Sequence, residues 1–230
     1  LKNGVCLLEG VEREGDGVLK IGSLLPETGS LAFLGAPEFA GVEYAISEIN
    51  AAGGKAIGVR VDITDPASAR AMAEAATAAF GGVDILVNNA ALMAELGMLH
   101  VADVALEEWN RILEVNLTGA LICSQAVIPS MRARGGGRIV NQTSGGAFPA
   151  TSIYGIGKLA LVGLTTTLAR QLGKEGINVN AIAPGNVTSD AGKLLVPDES
   201  PFIKFLEMTV ASRPRGTPDE LVGALLLLCS

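Results

Sequence analysis

The sequence is poor in the residues that build metal and disulfide sites. Its 230 residues include one histidine, His100, and three cysteines, Cys6, Cys123 and Cys229, which lie far apart and form no CxxC pair. A single histidine excludes a multi-histidine metal site and makes a histidine-dependent triad hard to build. An odd number of scattered thiols favours a reducing compartment. We therefore predict no metal site, a surface or loop position for His100, and a cytoplasmic location.

The sequence also lacks basic runs and long apolar runs. The formal net charge is −7, and no cluster of lysine and arginine could follow a phosphate backbone, so we predict no nucleic-acid partner. The longest apolar run, Leu221 to Cys229, has about nine residues against the roughly 20 that a bilayer requires. The N-terminus, LKNGVCLLEG, lacks the pattern of a secretory signal and an initiator methionine. We expect no membrane partner, and the missing methionine leaves open whether the chain is a fragment or a full-length protein.

What the chain has is enough apolar sequence for one large core, since 49% of its residues are hydrophobic. Short runs rich in valine and isoleucine predict parallel strands at 57–61, 83–87, 138–142 and 177–183. Helical patterns lie between them. This rhythm predicts an α/β fold with a doubly wound parallel sheet in three layers, in which ligands bind at the carboxyl ends of the strands.

The helix boundaries have their own signals. Asp65 and Pro66 predict an N-cap and first position for a helix that continues from Ala67 to Phe80, and Gly81-Gly82 ends it. The remaining patterns predict helices at about 105–134, which Gly135-Gly136-Gly137 ends, at about 151–174, and from Asp219 to Cys229.

Tyr154 and Lys158 carry the strongest chemical signal. They stand four residues apart at the start of a predicted helix, so their side chains share one face. A phenol has a pKa of about 10, and a cation close to it stabilises the phenolate. We therefore expect Lys158 to lower the pKa of Tyr154, which would act as a general acid and base.

The surroundings of this pair resemble a known family. Three motifs precede the pair: GGVDILVNNAA at 81–91, EVNLTG at 114–119 and RIVNQTSGG at 138–146. A fourth motif follows it, INVNAIAPGNV at 177–187. In this order and spacing the motifs resemble the short-chain dehydrogenase/reductase family, from about Gly53 to the C-terminus. The resemblance implies a Rossmann-like fold and a homo-oligomeric oxidoreductase that interconverts a small-molecule alcohol and carbonyl with NAD or NADP.

The resemblance also implies catalytic roles. Tyr154 exchanges a proton with the substrate oxygen, Ser144 fixes that oxygen, Lys158 holds the nicotinamide ribose, and Asn116 orders a water behind Lys158. The ten residues from Ser144 to Tyr154 are fewer than in many members of the family. Thr143 is the alternative if the loop register shifts.

Further positions match the family's cofactor contacts. Asp62 and Ile63 correspond to the adenine site. Asn88 and Asn89 correspond to residues that link neighbouring strands and line the adenosine side, and Asn89 is the predicted cofactor contact, for which a structural role is the alternative. Val187 and Ser189 correspond to the anchor of the nicotinamide carboxamide, where the family usually has threonine in place of Ser189. Tyr154 and Lys158 complete the predicted cofactor-binding set.

The N-terminal residues depart from the family. We expect a single domain over 1–230, with a poorly defined segment at 1–17, an atypical strand and helix at 18–54 and the family-like body at 55–230. Residues 18–54 resemble the opening of a periplasmic branched-chain amino-acid-type solute-binding protein. One N-terminal strand-helix unit and the last strand of the sheet are predicted to be missing.

The phosphate-binding glycine motif is the main consequence of this departure. In TGSLAFLG, 28–35, Phe33 stands where the family has its middle glycine, which is needed for close approach to pyrophosphate. We interpret the match as chance and expect weak or absent dinucleotide binding. This leaves two alternatives to the enzyme: an impaired chimeric or truncated relative that binds no dinucleotide, and a solute-binding module.

Overall fold

The computed structural model describes residues 3–9, 44–93, 101–188, 199–209 and 215–230. Its strands are β1 (Asn3–Glu9), β2 (Lys55–Val61), β3 (Ile85–Asn88), β4 (Gly137–Gln142) and β5 (Ile177–Ile182). Its helices are α1 (Pro66–Phe80), α2 (Leu106–Leu113), α3 (Gly119–Ala133), α4 (Ile153–Leu172), α5 (Pro201–Thr209) and α6 (Asp219–Cys229), and residues 44–51 are helical as well.

Three of the strands form the parallel sheet that the sequence predicts. Strand β4 lies between β3 and β5, with Ile85 opposite Arg138 and Gly137 opposite Ile177. The order of strands and helices confirms the α/β class. Because the strands run in the same direction, their carboxyl ends meet at one edge, where residues 142–145 lie beside 182–184.

Strand β1 differs from the prediction. No strand was predicted at 3–9, and Asn3–Glu9 pair antiparallel with β2, from Asn3 opposite Val61 to Glu9 opposite Lys55. Strand β2 was predicted to have parallel partners, but among the described residues its partner is β1. The backbone N–H and C=O groups of β2 need hydrogen-bond partners. Any extended segment can supply them in an antiparallel ladder, so the local sequence pattern does not reveal which segment pairs with β2.

Helix α1 confirms its predicted boundaries. The carboxylate of Asp65 accepts hydrogen bonds from the backbone N–H groups of Ala67 and Ser68, at 2.9 and 3.2 Å. At the other end Gly81 has a φ of 77°, which glycine adopts without strain, and its N–H donates to the carbonyl oxygen of Thr77.

The predicted helix at 105–134 is one helical run with an interruption. A π-helical turn, Glu114–Thr118, separates α2 from α3. By length and composition the run Leu106–Ala133 could cross a membrane, with half of its apolar window buried. Polar residues divide this run, so it contains no long uninterrupted apolar stretch. Within the described residues α3 packs against α1, which is the place of a core helix.

One apolar cluster joins the sheets to the helices. It contains residues of β2, β3, β4 and β5 together with the inner faces of α1, α3 and α4, among them Val61, Leu86, Ile139, Val179, Met72, Val127 and Leu168. After β5 the described residues contain α5, α6 and one isolated bridge, between Val187 and Gly216. The core therefore fixes the carboxyl edge of the parallel sheet relative to α4.

Candidate active site

Ser144 lies just beyond the carboxyl end of β4. The backbone N–H groups of Thr143 and Gly145 donate to the carbonyl oxygens of Ile182 and Pro184, both at 2.8 Å, so the chain stays beside the end of β5. Ser144 then begins a short 3₁₀ turn, Gly145–Ala147, and its hydroxyl oxygen accepts from the N–H of Gly146 at 3.1 Å. This bond leaves the hydroxyl proton to be donated elsewhere.

Tyr154 stands in the first turn of α4, beside the Ser144 hydroxyl, which lowers the pKa of its phenol. The helix begins at the N-cap Ser152, whose hydroxyl accepts from the N–H of Gly155 at 3.1 Å. The Tyr154 ring packs against a second apolar cluster built on Ile112 and Ile153. The structure thus brings together the two hydroxyls that the sequence proposed as substrate contacts.

The predicted direction of the Tyr154 pKa is wrong. We expected Lys158 to lower it, whereas burial raises the pKa of the phenol, and the bond from Ser144 lowers it by less. Removal from water disfavours the charged phenolate. The ammonium Nζ of Lys158 lies over the Tyr154 ring, 5.7 Å from its centre, and donates to another group.

Lys158 is 1% exposed. Its ammonium donates to the carbonyl oxygen of Gln142, at the end of β4, over 2.6 Å. Burial lowers its pKa from 10.5 to about 8, because a charged ammonium loses hydration in the interior. An ammonium has three N–H donors, so this bond leaves two for other acceptors.

Thr143, the alternative to Ser144, faces another way. It is buried, and its hydroxyl donates to the backbone carbonyl oxygen of Lys158 at 2.8 Å. This bond ties the end of β4 to α4. The geometry favours Ser144 as the hydroxyl beside Tyr154.

Asn116 lies buried in the π-helical turn between α2 and α3. Its Oδ1 accepts from the backbone N–H of Leu92 at 2.7 Å, and its Nδ2 donates to the carbonyl oxygen of Leu92 at 2.9 Å. The side chain therefore holds the segment that follows β3, close to Gly157 of α4. The water behind Lys158 stays a prediction.

The predicted adenine site follows β2. Oδ1 of Asp62 accepts from the N–H and the hydroxyl of Thr64, at 2.9 and 2.7 Å, which closes a tight turn. The Ile63 side chain is buried and packs against Gly119, at the start of α3. Ile63 therefore supports this turn from inside the core.

Of the two asparagines expected to link strands or line the adenosine side, Asn88 makes the link between strands. Nδ2 of Asn88 donates to Oδ1 of Asn141 at 2.8 Å, and Nδ2 of Asn141 donates to the hydroxyl of Thr165 at 2.9 Å. Asn89 is half-buried at the end of β3. Sequence reasoning missed Asn141 and Thr165, although a polar residue inside the apolar strand 138–142 was an available signal.

Val187 lies where the chain meets a later segment. It bridges Gly216, with the N–H of Thr188 donating to the carbonyl oxygen of Gly216 and the N–H of Gly216 donating to that of Asn186, both at 2.9 Å. Three other predictions fall outside the described residues: Ser189, His100, and the glycine motif at 28–35 with Phe33.

Comparison with known proteins decides the family. The family model described as enoyl-(acyl carrier protein) reductase matches residues 29–230. An uncharacterised oxidoreductase of Mycobacterium tuberculosis is 42% identical over 175 residues, which cover 76% of this chain and 70% of the relative. The dehydrogenase/reductase SDR family member 4 of Homo sapiens is 31% identical, over 100% of this chain and 82% of the relative.

The chain belongs to the short-chain dehydrogenase/reductase family. Solved members share its Rossmann-like fold, which confirms the predicted class. A 7α-hydroxysteroid dehydrogenase in complex with NADH and 7-oxo glycochenodeoxycholic acid has a TM-score of 0.71 and 34% identity, over 82% of this chain and 72% of that one. A gluconate 5-dehydrogenase from Burkholderia cenocepacia in complex with NADP and tartrate has a TM-score of 0.67 and 32% identity, over 74% of this chain and 66% of that one.

These comparisons change the interpretation of the N-terminus of this short-chain dehydrogenase/reductase. The family match begins at residue 29, before the predicted start near Gly53. The comparisons do not support the resemblance of 18–54 to a solute-binding protein, and residues 18–43 lie outside the described residues. Strand-and-helix openings are similar across α/β families, so a short segment carries little information about ancestry.

Proposed function

We propose that this short-chain dehydrogenase/reductase interconverts a small-molecule alcohol and its carbonyl with a nicotinamide dinucleotide, and that Tyr154 moves the proton. The observation that carries the proposal is the position of the Ser144 hydroxyl beside the Tyr154 phenol, whose pKa it lowers, at the carboxyl edge of the sheet and next to the buried Lys158. Oxidoreductase relatives, and solved relatives in complex with NADH or NADP, support the cofactor class.

The described residues fit such a cofactor. Lys158 presents a buried ammonium whose described hydrogen bond uses one of its three donors, which suits ribose hydroxyls. Asp62, Asn89 and Val187 follow the ends of β2, β3 and β5, which is where ligands bind in this fold. We propose that these residues, with Ile63, Tyr154 and Ser189, hold the cofactor. When bound, a nicotinamide dinucleotide donates or accepts the hydride.

The residues of the chain supply the proton chemistry. In carbonyl reduction, the Tyr154 phenol donates its proton to the substrate oxygen as the carbonyl carbon gains a hydride, and the product is an alcohol. The Ser144 hydroxyl donates a hydrogen bond to the same oxygen and stabilises its developing negative charge. In alcohol oxidation, the phenolate takes the hydroxyl proton as the carbinol carbon loses a hydride.

The raised pKa of Tyr154 gives this cycle a pH dependence. Burial keeps the phenol protonated at neutral pH, which suits a proton donor in carbonyl reduction. Alcohol oxidation needs the phenolate, so its rate rises with pH as Tyr154 ionises.

The impaired relative without dinucleotide binding is not favoured over this function. The family match covers residues 29–230, and alignments with mammalian relatives cover the whole chain. Our remaining predictions are a homo-oligomer, a cytoplasmic location, and the absence of metal, membrane and nucleic-acid partners.

Tyr154→Phe tests the proposed function. The change keeps the ring against Ile112 and Ile153 and removes the proton donor, so turnover of a panel of alcohols and ketones with NAD(H) and NADP(H) should fall about 10²–10⁴-fold. The matched control is Tyr44→Phe, at an exposed tyrosine whose hydroxyl donates to Glu48 at 2.6 Å. Equal turnover in Tyr154→Phe and wild type would assign the chemistry to another group.

A further inference from the structure

The turn that carries Ser144 packs directly against the first turn of α4, at Gly155. A Cβ built on Gly155 would lie 2.7 Å from the backbone carbonyl oxygen of Gly146 and 3.2 Å from the Cα of Ala150. We propose that Gly155 is a positioning residue, whose lack of a side chain lets the Ser144 hydroxyl reach the Tyr154 phenol. The proposal rests on the proposed function, because it concerns the same two hydroxyls.

The contact leaves little room for adjustment. Both close neighbours of the added Cβ are backbone atoms, which cannot rotate away as the end of a long side chain can. Gly155 is absent from the residues with positive φ, so an alanine would be tolerated by the helical backbone there. Close approach, rather than conformational freedom, is therefore the reason for a glycine at this position.

The strain would pass from Gly155 to Ser144 through a single residue. Gly146 presents its carbonyl oxygen to Gly155, and its N–H donates to the Ser144 hydroxyl at 3.1 Å. A methyl group at position 155 pushes Gly146 away from α4, and Ser144 moves with it. Tyr154, on α4, does not follow, so the two hydroxyls separate.

The loop between them already holds a strained conformation. Ala150 has a φ of 47°, in the left-handed region that residues with a Cβ seldom adopt. Such a conformation persists when surrounding contacts determine it, and Gly155 is one of these contacts. The same helix provides a control, because a Cβ on Gly163 would meet no atom within 4 Å.

The first test measures the ionisation of Tyr154 by NMR of ¹³C-labelled tyrosine, without any need for substrate. The chain has two tyrosines, so a Tyr44→Phe background leaves one signal. Among the described residues packed around the ring, Lys158 is charged, and Ile112 and Ile153 are apolar. Gly155→Ala should raise the midpoint by about one pH unit, as Ser144→Ala does, because the stabilising bond to the phenolate is lost.

The outcomes separate the proposals. In the Ser144→Ala background, Gly155→Ala should add no further change, and Gly163→Ala should leave the midpoint unchanged. A midpoint in Gly155→Ala equal to that of Gly163→Ala would overturn the positioning role. If Gly155→Ala does not fold, the same titration is made on the double variant Gly155→Ala with Ala150→Gly. The glycine at position 150 relieves the left-handed backbone conformation there, and the midpoint of the double variant then decides the positioning role.

Turnover provides the second readout. With a substrate from the panel, Gly155→Ala should lower kcat about 10²-fold with a smaller change in KM, since misplacement by about 1 Å has this effect on a reacting group. If Tyr154→Phe keeps full turnover, the proposed function fails. If Tyr154→Phe loses turnover while Gly155→Ala matches Gly163→Ala, the inference about Gly155 fails alone.

Discussion

At the scale of single residues, the site holds two titratable groups that burial pushes toward neutrality. Burial raises the pKa of Tyr154 and lowers that of Lys158 to about 8. The sequence placed the two side chains on one face of a helix but could not give the direction for Tyr154, because desolvation depends on the surrounding packing. A protonated phenol beside an ammonium that titrates near pH 8 suits proton transfer close to neutral pH.

Lys158→Met should stabilise the fold at neutral pH while it removes activity. The lowered pKa means that the folded state disfavours the charged ammonium by a net penalty on the order of 3 kcal/mol. Between pH 8 and 10.5 the folded protein has released this proton and the unfolded chain still holds it, so wild-type stability rises with pH. Urea denaturation should show an excess stability of the variant, about 1–3 kcal/mol at pH 7, that shrinks across this window. A difference that stays constant from pH 7 to 10.5 would contradict the burial of a charged lysine.

Ser144→Ala and Thr143→Val should have separate effects. Ser144→Ala removes a donor to the substrate oxygen, so kcat should fall about 10²–10³-fold with stability nearly unchanged. Thr143→Val removes the bond to the Lys158 carbonyl, so the free energy of unfolding should fall by about 1 kcal/mol while most activity remains. Steady-state kinetics and denaturation of both variants check this, and the reverse pattern would make Thr143 the catalytic hydroxyl.

At the scale of elements, a buried polar chain joins β3, β4 and α4. Asn141 stands at its centre, fully buried between Asn88 and Thr165. The bonds hold the carboxyl ends of two strands against the helix that bears Tyr154 and Lys158. An unpaired amide in the interior is costly, so the two bonds of Asn141 stabilise this arrangement.

Asn141→Ala should therefore lower the free energy of unfolding by about 2–4 kcal/mol, because Asn88 and Thr165 both lose a partner. The matched control is Asn178→Ala, at an exposed asparagine of β5, which should change stability by less than about 0.5 kcal/mol. Chemical denaturation of the two variants measures the difference. Equal stabilities would show that the polar chain contributes nothing to the fold.

Capping residues and short apolar runs in the sequence predicted the helix and the strands in which they lie. The caps at Asp65 and Gly81 placed α1, and strands predicted at 138–142 and 177–183 form at Gly137–Gln142 and Ile177–Ile182. The π-helical turn at Glu114–Thr118 and the pairing of β1 with β2 were missed. The π-helical turn depends on the contact of Asn116 with Leu92, and the pairing depends on two segments that are far apart in the sequence. Local periodicity encodes neither of these tertiary contacts.

At the scale of the whole molecule, the order of the motifs predicted the family and a site at the carboxyl edge of the sheet. It did not predict how the N-terminal residues relate to the family. Phe33 in place of a glycine led us to expect weak or absent dinucleotide binding, whereas the family match from residue 29 and alignments over the whole of this chain support our proposal of a nicotinamide dinucleotide cofactor. A single substituted position in a glycine motif says little about the backbone path around it, and that path decides whether pyrophosphate fits.

Calorimetric titration of the wild-type chain with NADH and with NADPH tests the central claim most directly, with Lys158→Met alongside. We predict saturable binding of at least one dinucleotide at one site per chain. Lys158→Met should weaken it about 10–100-fold, as expected for a lost charge-assisted hydrogen bond to the cofactor. Absence of binding heat with either dinucleotide in folded wild-type protein, or equal affinity in Lys158→Met, would contradict an oxidoreductase built on Tyr154 and Lys158.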